Sequence, residues 1–364
     1  MVEGTRRDSP EGKGGLVPCI LCGGREHEPL FYRRDGENWV TREPPEPAPG
    51  VPVYRIVRCG GCGLVSVSPL PAREELAGLY DEPYFTTGSY FGNIHTGGME
   101  GHVSVLTSPR LRQRAREEHQ RTLRQVEIIW RAQRRREAPP RLLDVGCGAG
   151  FLLDAARELG WAVQGVELSP FAAERARQDL GLPVVQGELA EAGFPAGHFD
   201  IVVMRELLEH VPDPLALLRE ARRVLREEGV LFVQVPNDLE GVRARLWRRV
   251  WWMIPPLHLY YFDRKTLGAL LERAGFRVVR WGTWGSLGLD LWMVWSARWP
   301  ALRYTGQEGR WKGWAKRLLR KGVRVALAPA DVFLARRLLH TELQAFAVPS
   351  GSAPSLVHGE GARG

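Results

Sequence analysis

RLLDVGCGAG, residues 141–150, joins an apolar run that ends in an acid to three glycines at alternate positions. Such a pattern is typical of a β-strand that turns sharply into an α-helix, where the backbone holds a nucleotide-like cofactor. The glycines are Gly146, Gly148 and Gly150, and the acid is Asp144. The stretch therefore predicts a strand–turn–helix unit with a cofactor at the turn.

Short apolar strands alternate with amphipathic helices over residues 141–236, for example FDIVVM, then PLALLREARRVL, then GVLFVQVP. This alternation predicts a parallel sheet covered on both faces by helices and wound with right-handed crossovers. A helix over 266–274, a strand FRVVRWGTWG and a last strand ELQAFAV at 342–348 would extend it. The predicted fold class is α/β, a Rossmann-like doubly wound sheet.

Two kinds of cofactor compete for the glycine turn. A dinucleotide site uses the spacing G-x-G-x-x-G, whereas the last step here is one residue shorter. Asp144 would also lie close to a pyrophosphate, but it suits the cationic ammonium of S-adenosylmethionine (SAM), which has no phosphate. Glu167, at the end of the next predicted strand, would accept hydrogen bonds from ribose hydroxyls in either case.

The motifs DVGCGAG, VELSP, the FD of FDIVVM, LLEHVPDP and LREEGVLFVQVPN resemble, in order and spacing, those of class I SAM-dependent methyltransferases over residues 141–284. The resemblance implies a seven-stranded sheet whose last strand is antiparallel. It also implies the following cofactor-binding residues: Asp144, Gly146, Gly148, Gly150, Glu167, Leu168, Glu188 and Leu189. The alternative is that the glycines only permit close helix–strand packing.

Two C-x-x-C-G pairs lie near the start of the chain, Cys19 with Cys22 and Cys59 with Cys62. Four thiolates in two tight turns suit a structural Zn²⁺ ion, and the glycine after each pair can take a positive φ. The loop between the pairs is longer than the spacing of about 15–20 residues that is usual in zinc sites of this kind, which indicates an elaborated ribbon. A redox dithiol and unligated thiols are the alternatives.

The segment CGLVSVSPLPAREELAGLYDEPYF after the second pair is similar to the N-terminal zinc-binding region of methyltransferases of sugar and surface-glycan biosynthesis. This second resemblance covers residues 17–85 and implies a sugar carried on a nucleotide diphosphate as the acceptor. Together with the Arg-rich segments it predicts a small anionic acceptor, a nucleotide-linked or lipid-linked sugar or a related metabolite. The chain lacks a clear version of the long C-terminal domain of the sugar C-methyltransferases.

The resemblance to class I methyltransferases implies an acceptor near the ends of the fourth and fifth strands of the sheet, so the base that removes its proton should lie there. Glu209 and His210 in LLEHVPDP, and His258, Tyr260 and Tyr261 in PPLHLYYFD, are the available side chains. His210, His258 and Tyr261 are the predicted catalytic residues, since histidine titrates near neutral pH. Either histidine could instead order a loop. Asp263 is predicted to cap the helix that begins near Arg264.

The formal net charge of +8 favours an anionic partner. Basic segments rich in Trp, such as VRARLWRRVWWMIPP and RWKGWAKRLLRKGVRVAL, would suit a diphosphate, a membrane surface or RNA, or could simply pack on the sheet. A zinc-containing RNA methyltransferase is the leading alternative function, and a SAM-binding scaffold is the second. No apolar leader or spanning segment is evident, so we expect a cytoplasmic protein, with peripheral membrane contact as an option.

These observations predict a division of the chain into domains. A tail at 1–16 precedes a zinc-binding module at 17–70 and a linker with a basic helix, Arg110 to Arg136, at 71–140. The methyltransferase-type domain follows at 141–348, with a basic, Trp-rich insertion at about 286–340 and a tail at 349–364.

Overall fold

The computed structural model describes residues 18–35, 40–46, 48–71, 109–133, 138–241, 255–285 and 340–351, with a few isolated positions between them. The predicted tail at 1–16 lies outside the described residues, as do residues 352–364 of the predicted tail at 349–364; Pro349 instead ends the last strand. Most of residues 72–108 in the predicted linker and most of the predicted insertion at about 286–340 also lie outside the described residues. The Trp-bearing stretch at 242–254 lies outside them as well.

A seven-stranded sheet forms the centre of the larger domain. Its strands are β4 (Arg141–Val145), β5 (Ala162–Glu167), β6 (Val184–Gln186), β7 (Phe199–Arg205), β8 (Leu225–Pro236), β10 (Phe276–Trp284) and β11 (Glu342–Pro349). Their spatial order is β10-β11-β8-β7-β4-β5-β6. Strands β4 to β8 are parallel, and β11 runs antiparallel to both of its neighbours. The predicted α/β fold with one antiparallel last strand, supplied by ELQAFAV, is confirmed.

Helices cover both faces of this sheet. They are α1 (Pro109–Gln133), α2 (Phe151–Glu158), α3 (Pro170–Leu180), α4 (Pro214–Val224) and α5 (Arg264–Arg273). On one face, Leu123 and Trp130 of α1 share a core with α2, α3 and the strands. On the other, α4 and α5 pack against residues such as Leu231 and Val233 of β8. Helix α1 corresponds to the predicted basic helix, and residues 134–137 are not described.

A second, four-stranded sheet is built from β1 (His27–Arg34), β2 (Val53–Cys59), β3 (Val65–Val67) and β9 (Tyr260–Tyr261). The first three strands belong to the predicted zinc-binding module, and β1 and β2 form the elaborated ribbon between its cysteine pairs. Strand β9 comes from the distant segment that follows Pro255 and Pro256, and it pairs antiparallel with β3. Both parts of the chain therefore contribute to the small sheet.

The apolar core continues from the module into the larger domain. Cys19, Leu21 and Leu64 lie in the same buried cluster as Leu259 and Phe262, and this cluster includes one face of the seven-stranded sheet. The module and the sheet domain are thus packed on one another through buried apolar side chains.

Candidate active site and metal site

The turn after β4 places two of its glycines in different surroundings. Gly150 begins α2 with φ 84°, and a Cβ atom there would come within 2.5 Å of Leu182 Cδ1. Gly148 has φ 53°, and no heavy atom of the described residues lies within 4 Å of the position that its Cβ would take. Gly150 therefore serves close packing, the alternative considered for all three glycines, whereas Gly148 borders open space.

Two buried carboxylates flank this turn. Asp144 lies in β4 and is only 4% exposed, and Glu167 ends the neighbouring strand β5 and is 8% exposed. The Glu167 carboxylate accepts hydrogen bonds from the Gly148 amide at 2.7 Å and the Ser169 amide at 2.8 Å. A carboxylate offers about four lone-pair sites, so each oxygen keeps capacity for a further donor such as a ribose hydroxyl.

Burial shapes the ionisation of both acids. It raises the pKa of Asp144 to about 7, with the charge of Glu167 adding to the effect and that of Arg205 opposing it. Burial also raises the pKa of Glu167, although the amides of Ser169 and Gly148 favour its charged form. A bound cation would stabilise these charges and lower both pKa values.

The remaining predicted cofactor residues lie beyond the ends of β5 and β6, at the same edge of the sheet. Leu168 is 51% exposed, and Glu188 is an exposed N-cap of a short 3-10 helix, Leu189–Glu191. Leu189 is buried within the core, so its side chain faces the protein. Their contacts with a cofactor stay predictions.

The four cysteines of the module come together as the sequence predicts. Their Sγ atoms all lie within 4.8 Å of one another, and Cys19–Cys62 and Cys22–Cys59 are each 3.5 Å apart. In each pair the glycine after the second cysteine donates its amide to the first cysteine's carbonyl, at 2.7 Å in the first turn and 2.9 Å in the second. Both glycines have positive φ. Four sulfurs at this spacing fit a tetrahedral Zn²⁺ site.

The predicted catalytic histidines also lie close together. The rings of His210 and His258 are 4.8 Å apart, and the His258 and Tyr261 rings are 6.3 Å apart. His210 Nδ1 is 2.9 Å from the Leu257 carbonyl, and the Tyr261 hydroxyl donates to the His258 carbonyl at 3.2 Å. Glu209, fully buried beside them, has Oε1 3.6 Å from His210 Nε2.

All of these groups have shifted pKa values. Burial lowers the pKa of His210 to about 4, although its bond to the Leu257 carbonyl opposes the shift, and lowers that of His258 well below its usual value. Burial likewise raises the pKa of Glu209 and of Tyr261 far above their ordinary values. The imidazoles are therefore uncharged near neutral pH, and the Tyr261 hydroxyl keeps its proton.

One predicted role is confirmed, and one residue was missed. The Asp263 side chain accepts from the Thr266 amide at 2.8 Å and caps α5.

Glu206, which directly follows β7, has φ 49°, an unfavourable backbone conformation for a residue with a side chain. Its Oε1 accepts from Gln234 Nε2 at 3.2 Å. Its residue type does not predict this conformation, and its amide also donates to the Gln234 carbonyl of β8 at 2.9 Å.

Comparison with known proteins supports the prediction of a methyltransferase domain. Residues 101–280 match a family model described as a methyltransferase domain. The ubiquinone biosynthesis O-methyltransferase of Xanthomonas axonopodis pv. citri is 37% identical over 121 residues, which are 32% of this chain and 51% of that protein. That of Xanthomonas campestris pv. campestris is 41% identical over 103 residues, 27% of this chain and 43% of that protein.

The chain spans about half the length of the curated relatives it matches, or less. Among solved structures, a SAM-dependent methyltransferase from Archaeoglobus fulgidus is 18% identical with a TM-score of 0.43, over 65% of this chain and 94% of that one. Of the helices that the structure describes, none combines the length and apolar composition needed to cross a bilayer.

Proposed function

We propose that this chain, whose residues 101–280 carry a class I SAM-dependent methyltransferase domain, transfers the methyl group of SAM to a hydroxyl oxygen of a small-molecule acceptor. The observation that carries the proposal is the pair of buried carboxylates, Asp144 and Glu167, beside open space at Gly148. SAM presents an ammonium, a sulfonium and a ribose diol, and it supplies an activated methyl group when bound.

Each of these residues has a distinct task. Asp144 attracts the positive charge of the methionine part, Glu167 accepts from the ribose hydroxyls, and the bare backbone at Gly148 permits close approach of the ligand. Since the methyl group is already activated, the protein mainly orients the acceptor and takes up its proton. That His210, His258 or Tyr261 serves in the proton transfer remains a prediction. Replacing both histidines with Ala tests it, because full turnover by that variant would exclude them.

Oxygen as the acceptor atom is supported by the relatives, which are named as O-methyltransferases of ubiquinone biosynthesis. The module's resemblance to glycan-pathway enzymes instead favours a nucleotide-linked or lipid-linked sugar, and the charge of +8 suits an anionic acceptor of that kind. Both acceptor classes present a hydroxyl group. We further propose that Cys19, Cys22, Cys59 and Cys62 hold a structural zinc ion, because all four ligand positions would be occupied by sulfur.

Methyl transfer from isotopically labelled SAM tests the proposal. The full chain is incubated with separate fractions of sugar nucleotides, extracted lipids and RNA, and Asp144→Asn serves as the inactive variant. Asp179→Asn is the matched control, since Asp179 pairs with Arg175 on the surface of α3. Label in an O-methyl group of a sugar or lipid supports the proposal. Label in RNA alone, or SAM binding without transfer to any fraction, would overturn it.

A further inference from the structure

Glu209 is a buried acid whose carboxylate oxygens accept no hydrogen bond from the described residues. It is 0% exposed. The negative charges of Glu206 and Asp238 repel that of Glu209 and so make its ionised form still less favourable. Burying a carboxylate without compensation costs several kcal/mol, on the order of the whole stability of a small domain. A proton or a cation must therefore accompany Glu209.

The orientation of His210 favours a cation. A carbonyl oxygen can only accept, so His210 Nδ1 donates its proton to the Leu257 carbonyl at 2.9 Å. This fixes the tautomer and leaves Nε2 with a lone pair, 3.6 Å from Glu209 Oε1. That distance is too long for a hydrogen bond, but two ligands of a four-coordinate ion at about 2.0–2.1 Å lie roughly 3.4 Å apart. Metal-binding histidines commonly donate their other ring proton to a backbone carbonyl in this way.

His258 supplies a third ligand from another part of the chain. It is 3% exposed, and one ligand atom from each of Glu209, His210 and His258 can be chosen so that all lie within 4.8 Å of one another. The backbone holds this arrangement, since the Leu259 amide donates to the Glu209 carbonyl at 2.7 Å. Arg33 of the small sheet places a positive charge near His258, which helps to lower the pKa of that imidazole and so keeps it unprotonated. The three ligands are thus positioned before any ion arrives.

We propose that Glu209, His210 and His258 bind a divalent transition-metal cation of the zinc class, at a site separate from the four cysteines. Two imidazoles and one carboxylate form a donor set that suits such ions better than the harder Mg²⁺ or Ca²⁺. Three protein ligands leave at least one coordination position for water or another oxygen. The cation would also join the loop after β7 to the segment that precedes β9. This inference does not depend on the identity of the methyl acceptor, but a metal ion on His210 and His258 excludes these two imidazoles as the base in methyl transfer.

Metal analysis of the full chain tests the inference. After exposure to Zn²⁺ and removal of loosely bound ions, the unaltered protein should hold about two equivalents per chain, one in each site. His258→Gln and Glu209→Gln should each lose about one equivalent, and His198→Gln, a histidine outside the cluster, should lose none. Circular dichroism and SAM binding establish that each variant is folded.

Substitution with Co²⁺ assigns each equivalent to its site. The cysteine site should show intense thiolate-to-metal absorption in the near ultraviolet, whereas the Glu209 site should show only weaker ligand-field bands, which disappear in His258→Gln. A folded, unaltered protein that takes up only one equivalent, all of it with thiolate absorption, would overturn the proposal. So would a folded His258→Gln variant that retains both equivalents. Neither readout requires methyl transfer, so failure here is distinguishable from failure of the proposed activity.

Discussion

At the scale of single residues, Gly148 and Gly150 should respond differently to the same substitution. Gly150→Ala forces Cβ to within 2.5 Å of Leu182, and together with its positive φ this should lower the free energy of unfolding by about 2–4 kcal/mol. Gly148→Ala meets only the backbone penalty, about 1 kcal/mol, but places a methyl group in the proposed cofactor space. Denaturant unfolding and calorimetry with SAM measure the two effects. Equal losses of stability with unchanged SAM affinity would contradict this assignment.

Asp144 should make SAM binding depend on pH. Its pKa is raised to about 7 in the unliganded protein, and only the charged form attracts the ammonium group. Below that value a proton must leave before SAM binds, so we expect affinity to fall roughly tenfold per pH unit. Titration calorimetry between pH 5 and 8, in buffers that differ in ionisation enthalpy, would detect the released proton.

The matched variant Asp144→Asn should bind SAM weakly and with no such pH dependence. A variant that retains the slope would show that another group is responsible. Ionisation of Asp144 with rising pH strengthens SAM binding but destabilises the unliganded fold. Because the folded pKa lies above the unfolded value of 3.8, Asp144 disfavours the unliganded fold increasingly as the pH rises from the unfolded pKa to the folded one.

At the scale of elements, one buried acid joins two helices. Asp154 of α2 is 0% exposed and accepts from Arg112 and Arg116 of α1, with the shortest N–O distance 2.7 Å. Asp154→Asn should lower the free energy of unfolding by about 1–3 kcal/mol, because Arg112 loses the carboxylate it contacts and Arg116 keeps Glu158, at 3.3 Å, as its counter-charge. Glu117→Gln, an exposed change on α1, should cost less than about 0.5 kcal/mol. Comparable losses in the two variants would refute the role of this network.

The same network predicts sensitivity to acid. Burial alone would raise the pKa of Asp154, but hydrogen bonds and charge from Arg116 and Arg112 lower it below its ordinary value of 3.8. A folded pKa below the unfolded one stabilises the protein above the unfolded value, and this stabilisation is lost as the pH falls towards the folded value. Asp154→Asn should therefore remove part of the acid dependence of unfolding below about pH 4.

The sequence predicts a structural element when the residues of that element alone carry a recognisable pattern. Strands β4 and β7 and the later part of β8 are largely buried apolar runs, so their composition identifies them, and the cysteine turns follow from short spacing. Strand β9 is only two residues long and lies among prolines and aromatic residues. Its pairing with β3 is a long-range contact without a local pattern. The meeting of Glu209 with His258 likewise depends on how distant segments pack, which spacing alone does not show.

At the scale of the whole molecule, the shared core should make the two parts unfold together. Cys19 and Cys59 lie in the same buried cluster as Leu259 and much of the large sheet. Removal of the proposed zinc ion by a strong chelator, or Cys59→Ser, should therefore lower the melting temperature of the entire protein by several degrees or more, in one cooperative transition. Calorimetry together with far-ultraviolet circular dichroism measures this. An unchanged main transition after zinc loss would show that the module is energetically independent.

The pairing of β3 with β9 also bears on synthesis. Val65 and Ser66 must wait for Tyr261 and Tyr260, their partners in the ladder, to emerge from the ribosome. At roughly 5–20 residues per second, this delay lasts on the order of 10–40 seconds. During it the nascent chain presents an open strand edge and uncovered apolar side chains near its beginning. We therefore expect this strand edge to stay open to chaperones until Tyr260 and Tyr261 have emerged from the ribosome.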